Sequence, residues 1–316
     1  MLKIAYTDFW DDFNPASNFL TNAFSAVCQF SIVKPSENPD ILIYSYFGYE
    51  NLKYHKCIRI YYTGENDVPD FNLCDYAISF HHLDFGRRHF RLPLYAWYPS
   101  FKLLRDGKRM KMPMENRGFC SFVVSNNFCA SPMRTIIFEE LSKYKFVASG
   151  GRYANNIGSP VKDKFQFLNK YKFNIAFENS AVDGYTTEKL IDAFAANTVP
   201  IYWGNPYVSL DINPESFINI NDFSTFDEAI EYIKNVDEDN RLYQQYLSAD
   251  PLMGNKYLSW ESDLASFIKD IIDNPQKKMP MYGMGSQIHQ AALSKAELYH
   301  SKALRRLLNI YKKVRH

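Results

Sequence analysis

Short apolar runs closed off by turn residues recur along the chain, and stretches with helical spacing lie between several of them. In the first third, residues 3–7, 41–46, 58–62, 76–80 and 91–95 read as strands. Residues 16–28 read as an amphipathic helix with Phe19, Leu20, Ala23, Phe24 and Val27 on its apolar side. From Ser100 to Asn116 the pattern breaks into Lys, Arg, Met and Pro, which marks a boundary and an expected mobile segment. A second series follows, with strands over 119–124, 144–148 and 217–220 and helices over 133–142, 224–235, 241–247 and 257–272. Strands joined by helical connections imply open parallel α/β sheets. The expected division is residues 1–115, residues 116–274 and a tail, 275–316.

The most informative stretch runs from Tyr171 to Gly204. Phe173 to Phe177 is nearly all apolar, as in a strand covered on both faces. A polar turn with Asn179, Asp183 and Gly184 follows, and Thr186 or Thr187 can cap a helix carrying Leu190, Ile191, Phe194 and Ala195. Asn197 stops that helix, and residues 199–203 resume as strand. Such a βαβ unit binds ligands beyond the carboxyl ends of its strands, where Glu178, Asn179, Tyr185, Glu188 and Lys189 fall. Loop polarity and a solvated helix start account for these residues equally well. Lys189 is the exception, because a cation in the first turn opposes the helix dipole. Its placement calls for an anion, held jointly by the lysine and the helix amides.

The bulk numbers narrow the classes. The 316 residues are 46% hydrophobic and 22% charged, an ordinary globular composition. Aromatic residues reach 16%, and such rings suit the C–H faces of sugars. The net charge of +1 hides an asymmetry, because residues 295–316 hold seven bases and one acid. The rest of the chain is therefore mildly acidic, which argues against a nucleic-acid binder. Five cysteines without a CxxC pair read as reduced thiols of a cytoplasmic protein. No run is long enough for a membrane span and no signal peptide opens the chain. Leu304, Leu307, Leu308, Tyr311 and Val314 form an apolar stripe flanked by bases. That tail either lies on an anionic membrane surface, placing the protein at the inner membrane's periphery, or packs back on the body.

The stretch FNIAFENS…GYTTEKLIDAF…TVPIYWG resembles the sugar-nucleotide motif of the α1,3-fucosyltransferases, glycosyltransferase family 10, especially the bacterial members. The resemblance implies the GT-B fold, two Rossmann-like domains facing a cleft, here followed by a basic helical tail. It implies an inverting transfer of L-fucose from GDP-fucose to the GlcNAc 3-hydroxyl of a Galβ1-4GlcNAc-type glycan, of lipopolysaccharide or capsule. YTGEN, with Pro69, Phe71 and the segments at 75–78 and 83–85, is similar to the family's acceptor-domain stretch, so Glu65 takes the role of general base and Tyr62 helps orient the acceptor. Ser125-Asn126, Pro132 and Arg134 resemble the segment whose arginine binds the diphosphate. On the same resemblance Lys189 joins Arg134 on the diphosphate, Glu188 accepts from the ribose, Tyr185 and Asn179 line the donor pocket, and Arg152 is a further cation.

No obligatory metal or other cofactor is implied. Asp237-Glu238-Asp239 matches a metal-binding DxD pattern but follows no apolar strand, so it reads as solvated charge. His81-His82 reads as a loop pair, since adjacent residues point apart. The alternatives are a GT-B transferase with another sugar nucleotide, or a non-catalytic glycan-binding or membrane-adaptor protein on the same fold.

Overall fold

A computed structural model of the chain describes residues 1–110, 116–125, 130–274, Ala291 and Ser294. The expected basic tail at 295–316 therefore lies outside the described residues, as does Asn126. In chain order the elements are β1 (Leu2–Thr7), α1 (Phe19–Ser25), β2 (Phe30–Ile32), β3 (Ile41–Tyr44), β4 (Ile58–Tyr62), β5 (Tyr76–Ser79) and β6 (His89–Arg91). There follow α2 (Pro99–Arg105), β7 (Gly118–Phe122), α3 (Met133–Tyr144), β8 (Val147–Ser149), α4 (Lys164–Leu168), β9 (Tyr171–Phe177), α5 (Glu188–Ala195) and β10 (Val199–Trp203). The last are β11 (Ile218–Asn219), α6 (Phe226–Glu238), α7 (Asn240–Ser248) and α8 (Trp260–Asp273). None of the described helices is long and apolar enough to cross a membrane.

The described residues pack as two compact units. The first takes Met1–Ser79, Leu83–Leu92 and residues 259–274; the second takes Phe80–His82 and Pro93–Leu258. Packing thus groups residues 93–110 with the second sheet, whereas the sequence pattern placed a boundary near 115. It also groups α8, from the far end of the described chain, with the first unit, where Trp260 meets Phe19 of α1 edge-on.

The first unit holds a six-stranded parallel sheet in the order β2-β1-β3-β4-β5-β6. All of β3, β4 and β5 is buried, which explains why these strands read as unbroken apolar runs rather than alternating ones. Helix α1 starts where the Asn18 side chain accepts from the Thr21 amide at 2.9 Å. It buries Leu20 and Phe24 almost completely, each contributing about 1.5–3 kcal/mol to the core. The strand expected over 91–95 ends earlier, at Arg91. Pro93 has no N–H to give a ladder, and residues 94–97 turn as a short 3₁₀ helix instead.

The second unit holds a five-stranded parallel sheet in the order β11-β10-β9-β7-β8. Numbered within its own unit, its strand order is 2-1-3-4-5, matching the first five strands of the other sheet. Each unit is Rossmann-like, and the pair is the expected GT-B class. The segment expected to be mobile contains α2, with Pro99 in its first turn and Ser100, Phe101 and Leu104 buried. Asn197 stops α5 in the left-handed conformation (φ 57°), as its type predicts. Helix α6 is capped by Thr225, which accepts from the Glu228 amide at 3.2 Å, one residue beyond the start read at Ser224.

Asp237 corrects the reading of the DxD pattern as solvated. Its side chain is 4% exposed and meets Lys145 and Lys172, each at 2.6 Å. Burial raises its pKa, but the hydrogen bonds and charges of the two lysines outweigh that and hold it below the usual carboxylate range. Asp239 caps α7 by accepting from the amides of Arg241 and Leu242. Both carboxylates are thus engaged by the fold, and among the described residues no group of three or more His, Cys, Asp or Glu is placed to hold a metal ion.

Candidate donor site and candidate base

In sheets of this strand order, ligands bind at the carboxyl ends of the two strands where the order reverses. In the second unit these strands are β7 and β9, neighbours in the sheet. The loop after β7 leads into α3, which opens with Met133 and Arg134; the loop after β9 leads into α5. Arg134 is 2% exposed and clasps the end of β9. Its Nε donates to the Phe177 carbonyl and its Nη2 to Asn179 Oδ1, each at 3.0 Å. The Ser131 amide adds a 2.7 Å bond to the Asn179 carbonyl. The arginine and asparagine brought together here are 45 residues apart in sequence.

Glu178, between those two anchors, is fully buried. Its Oε1 accepts from the Thr187 amide at 2.7 Å, and Thr187 Oγ1 lies 2.8 Å from Oε2. Lys189 Nζ reaches the same carboxylate at 3.3 Å and Glu188 Oε1 at 3.2 Å. Thr187 occupies the N-cap position of α5, but its hydroxyl serves Glu178 and makes no cap bond. The anion that Lys189 called for is therefore, in the first place, the protein's own. A carboxylate at the positive end of α5 satisfies both helix amide and lysine. Nothing in the sequence sets Glu178 apart from the other polar residues of the turn; the one signal is Lys189, whose position calls for an anion without saying that the chain itself supplies it.

The charges act on one another as their spacing demands. Burial pulls the Lys189 ammonium down, but Glu178 and Glu188 outweigh it and hold its pKa above the usual value. Burial pushes Glu188 up, and Lys189 with Lys164 outweighs it, leaving the carboxyl below its usual value. Burial lowers Arg134, opposed by Glu178 and Glu188. Tyr185 is buried, edge-on to Phe80 at 5.4 Å, and near enough to act on both Arg134 and Lys189. Arg152 stands apart, exposed on the loop after β8.

The turn that presents these groups is held by Asn205, which the sequence reading passed over. Its Oδ1 accepts from the amides of Gly184 and Tyr207, and its Nδ2 donates to Thr186 Oγ1 at 3.1 Å. Gly204 beside it has no room for a side chain: a Cβ would stand 2.6 Å from Glu178 Cγ. Gly184 combines a left-handed φ of 75° with a backbone approach to Phe80 that a Cβ would reduce to 2.4 Å.

In the first unit Glu65 lies on the loop after β4 and is exposed. Thr63 Oγ1 accepts from the Glu65 amide at 2.9 Å, which fixes its backbone, and its carboxylate has no partner among the described residues. Tyr62 is 2% exposed and its hydroxyl is buried without a hydrogen-bond partner among the described residues. Burial pushes that phenol far above its usual range, and Glu65 adds to the effect. In the second unit His82 Nε2 stands 3.7 Å from Asp183 Oδ1.

Comparison with known proteins decides the family. The model described as "Glycosyltransferase family 10 (fucosyltransferase) C-term" matches residues 114–277, more than half of the chain. The chain belongs to glycosyltransferase family 10. The "Alpha-(1,3)-fucosyltransferase FucT N-terminal domain" model matches residues 4–98. Among family 10 relatives, the alpha-(1,3)-fucosyltransferase FucT of Helicobacter pylori is 36% identical over 86% of this chain and 66% of its own length. The mouse 4-galactosyl-N-acetylglucosaminide 3-alpha-L-fucosyltransferase 9 is 34% identical over 44% of this chain and 38% of its own. The chain thus spans just under two thirds of the first relative's length and less of the second's. A crystal structure of an alpha1,3-fucosyltransferase superposes with a TM-score of 0.75 at 34% identity, covering 89% of this chain and 93% of that one. An alpha1,3-fucosyltransferase structure with GDP-fucose gives 0.72 at 34% identity, over 87% and 91%.

Proposed function

We propose that this family 10 chain transfers L-fucose from GDP-fucose to a hydroxyl of an oligosaccharide, with inversion at the anomeric carbon. The observation that carries the reading is the meeting of Arg134, Asn179, Glu188 and Lys189 at the reversal of strand order in the second sheet. These are the residue types a nucleoside diphosphate needs: cations for the phosphates and a carboxylate for ribose hydroxyls. Arg134 Nη1 is left without an acceptor among the described residues, a donor free for a phosphate oxygen. Glu188, 30% exposed and held ionised by Lys189, is the carboxylate that takes the ribose. Arg152 contributes a further cation once donor is bound.

In the proposed step the carboxylate of Glu65 takes the proton of the acceptor hydroxyl as that oxygen bonds to the fucose anomeric carbon. The bond from that carbon to the diphosphate breaks, and GDP leaves with the electron pair. Tyr62, whose hydroxyl has no partner among the described residues, orients the acceptor. The acceptor is a Galβ1-4GlcNAc-type glycan, attacked through the GlcNAc 3-hydroxyl.

The test is GDP release from GDP-fucose with and without N-acetyllactosamine. Glu65→Gln should retain GDP-fucose affinity and lose about 10²–10⁴-fold in turnover. Lys189→Ala should weaken GDP binding as well as turnover. Wild-type turnover by the Gln variant removes Glu65 from the role, and a preference for another sugar nucleotide removes fucose.

A further inference from the structure

Gly204-Asn205-Pro206 closes β10 with a turn. Pro206 has no N–H, so the Asn205 side chain folds onto the next amide, Oδ1 accepting from Tyr207 at 3.0 Å. The same oxygen accepts from the Gly184 amide at 2.9 Å, on a loop 21 residues earlier. Two amide donors settle which end of the side chain is oxygen. Its Nδ2 then donates to Thr186 Oγ1 at 3.1 Å, and the Asn205 amide donates to the Tyr202 hydroxyl at 3.0 Å. That hydroxyl lies 3.4 Å from Thr186 Oγ1, which closes the three side chains on one another. Asn205, Thr186 and Tyr202 are all fully buried. Gly204 leaves them the space, since a Cβ there would stand 2.9 Å from Tyr202 Oη.

What this cluster holds is the entry to α5. In the loop before that helix the Tyr185 amide closes on the Val182 carbonyl at 3.1 Å, and the Thr186 amide on the Gly184 carbonyl at 2.9 Å. The amides on either side, of Gly184 and Thr187, go to Asn205 and Glu178. Thr187 stands at the N-cap but gives its hydroxyl to Glu178, so α5 starts without a side-chain cap. A helix start of that kind has to be held from outside. Two adjacent threonines therefore tie it to two buried anchors, Thr187 to the charged Glu178 and Thr186 to the neutral Asn205.

The residues flanking these ties are the ones assigned to the donor: Tyr185 on one side, Glu188 and Lys189 on the other. Burial first, and then the charge of Glu178, holds the Tyr202 phenol well above its usual pKa, so the cluster stays neutral and bonded across the ordinary pH range. Removing one partner of a buried hydrogen bond leaves the other without compensation, and the loop must shift to relieve it. We propose that Asn205, with Thr186 and Tyr202, is a positioning device that sets the place of Tyr185, Glu188 and Lys189 without itself touching the donor. The inference rests on the proposed donor site for its ligand, and goes beyond it in assigning donor affinity to a neutral cluster outside that site.

The experiment compares the full chain with its Asn205→Ala, Thr186→Val and Thr186→Ser variants. GDP binding is measured by calorimetry, donor and acceptor kinetics separately, and amide hydrogen exchange without ligand. Thr186→Val keeps the shape and removes the hydroxyl, whereas Thr186→Ser keeps the hydroxyl. In Asn205→Ala and Thr186→Val the Kd for GDP and the donor KM should each rise about tenfold, with binding stoichiometry unchanged and acceptor KM within about twofold. Thr186→Ser should bind GDP within about threefold of wild type. A merely structural role would instead lower the stoichiometry and leave the Kd of the folded fraction as it was, and that result overturns the proposal. So does a Thr186→Ser variant as weak as Thr186→Val. Failure of the wild type to bind GDP overturns the functional reading instead, and exchange then decides the positioning by itself. Faster exchange in Asn205→Ala confined to residues 184–189 and Tyr207 supports it, and unchanged or uniformly faster exchange overturns it.

Discussion

Replacing Glu178 by Gln tests whether the buried carboxylate organises the candidate donor site. The substitution keeps the shape and leaves an amide oxygen for the Thr187 amide, but it removes the charge that faces Lys189 Nζ at 3.3 Å. Breaking one side of a buried pair typically costs about 3–5 kcal/mol, because the other charge stays behind without compensation. Lys189 is 21% exposed and retains Glu188 at 3.2 Å, so the lower end applies, about 3 kcal/mol. For a domain of this size that lowers Tm by about 6–12 °C. Adding Lys189→Met removes the stranded ammonium, and the double variant should return to within about 1 kcal/mol of wild type. Urea unfolding of the two single variants and the double variant, followed by circular dichroism, gives the coupling energy, and calorimetry with GDP gives binding. The double variant should be stable and yet bind GDP poorly. A loss below about 1 kcal/mol in Glu178→Gln, or strictly additive losses in the double variant, would refute the reasoning.

Gly204→Ala should destabilise by about 1–3 kcal/mol and weaken GDP binding together, because its Cβ drives into Glu178; urea midpoints beside GDP titrations check both. Asp237 has a depressed folded pKa, so its contribution is complete above the unfolded value near ~4 and is lost as pH falls through the folded one. Asp237→Asn should cost about 2 kcal/mol at neutral pH, mostly through Lys172 since Lys145 is half exposed, and should flatten the stability profile in acid. Tyr62→Phe removes a buried hydroxyl without a partner among the described residues, so stability should hold or rise by up to about 1 kcal/mol while acceptor KM increases. A stability loss would show that the hydroxyl is bonded.

Most strands were legible because parallel strands covered on both faces read as unbroken apolar runs: residues 58–62 and 199–203 are β4 and β10 as read. Short edge elements were not. Strand β2 has three residues and none is fully buried, so it carries no apolar pattern to find. Helix α4 is five residues long, less than two turns of periodicity. Helix α2 was hidden by its surroundings, since the basic run after Leu104 masks a turn that buries Phe101. At the site, Arg134 and Asn179 were each candidates by the family resemblance but nothing in the sequence paired them, and the buried state of Glu178 depends on Gly204, Thr187 and Lys189 converging on it. Convergence of that kind has no one-dimensional signature. The DxD pattern misled for a similar reason, because Lys145 and Lys172 come to Asp237 from about 65 to 92 residues away.

The charge balance at the candidate donor site limits what its cations can be asked to do. Arg134, Lys164 and Lys189 are matched by Glu178, Glu188 and Asp192, with Lys164 paired to Asp192 at 2.6 Å. Among these six described residues the charges cancel, so apart from Arg152 they exert little long-range attraction on a diphosphate. On the proposed reading the donor must instead redistribute bonds that already exist. Glu178 cannot leave, being fully buried and held by Thr187. Glu188 can, being partly exposed and bound to Lys189 at the long distance of 3.2 Å. As Glu188 turns to the ribose, Lys189 is freed on one side for phosphate while Glu178 keeps its ammonium in place on the other. The internal carboxylate thus serves to hold the lysine in position before donor arrives, the kind of preorganisation that spares reordering of polar groups during the reaction.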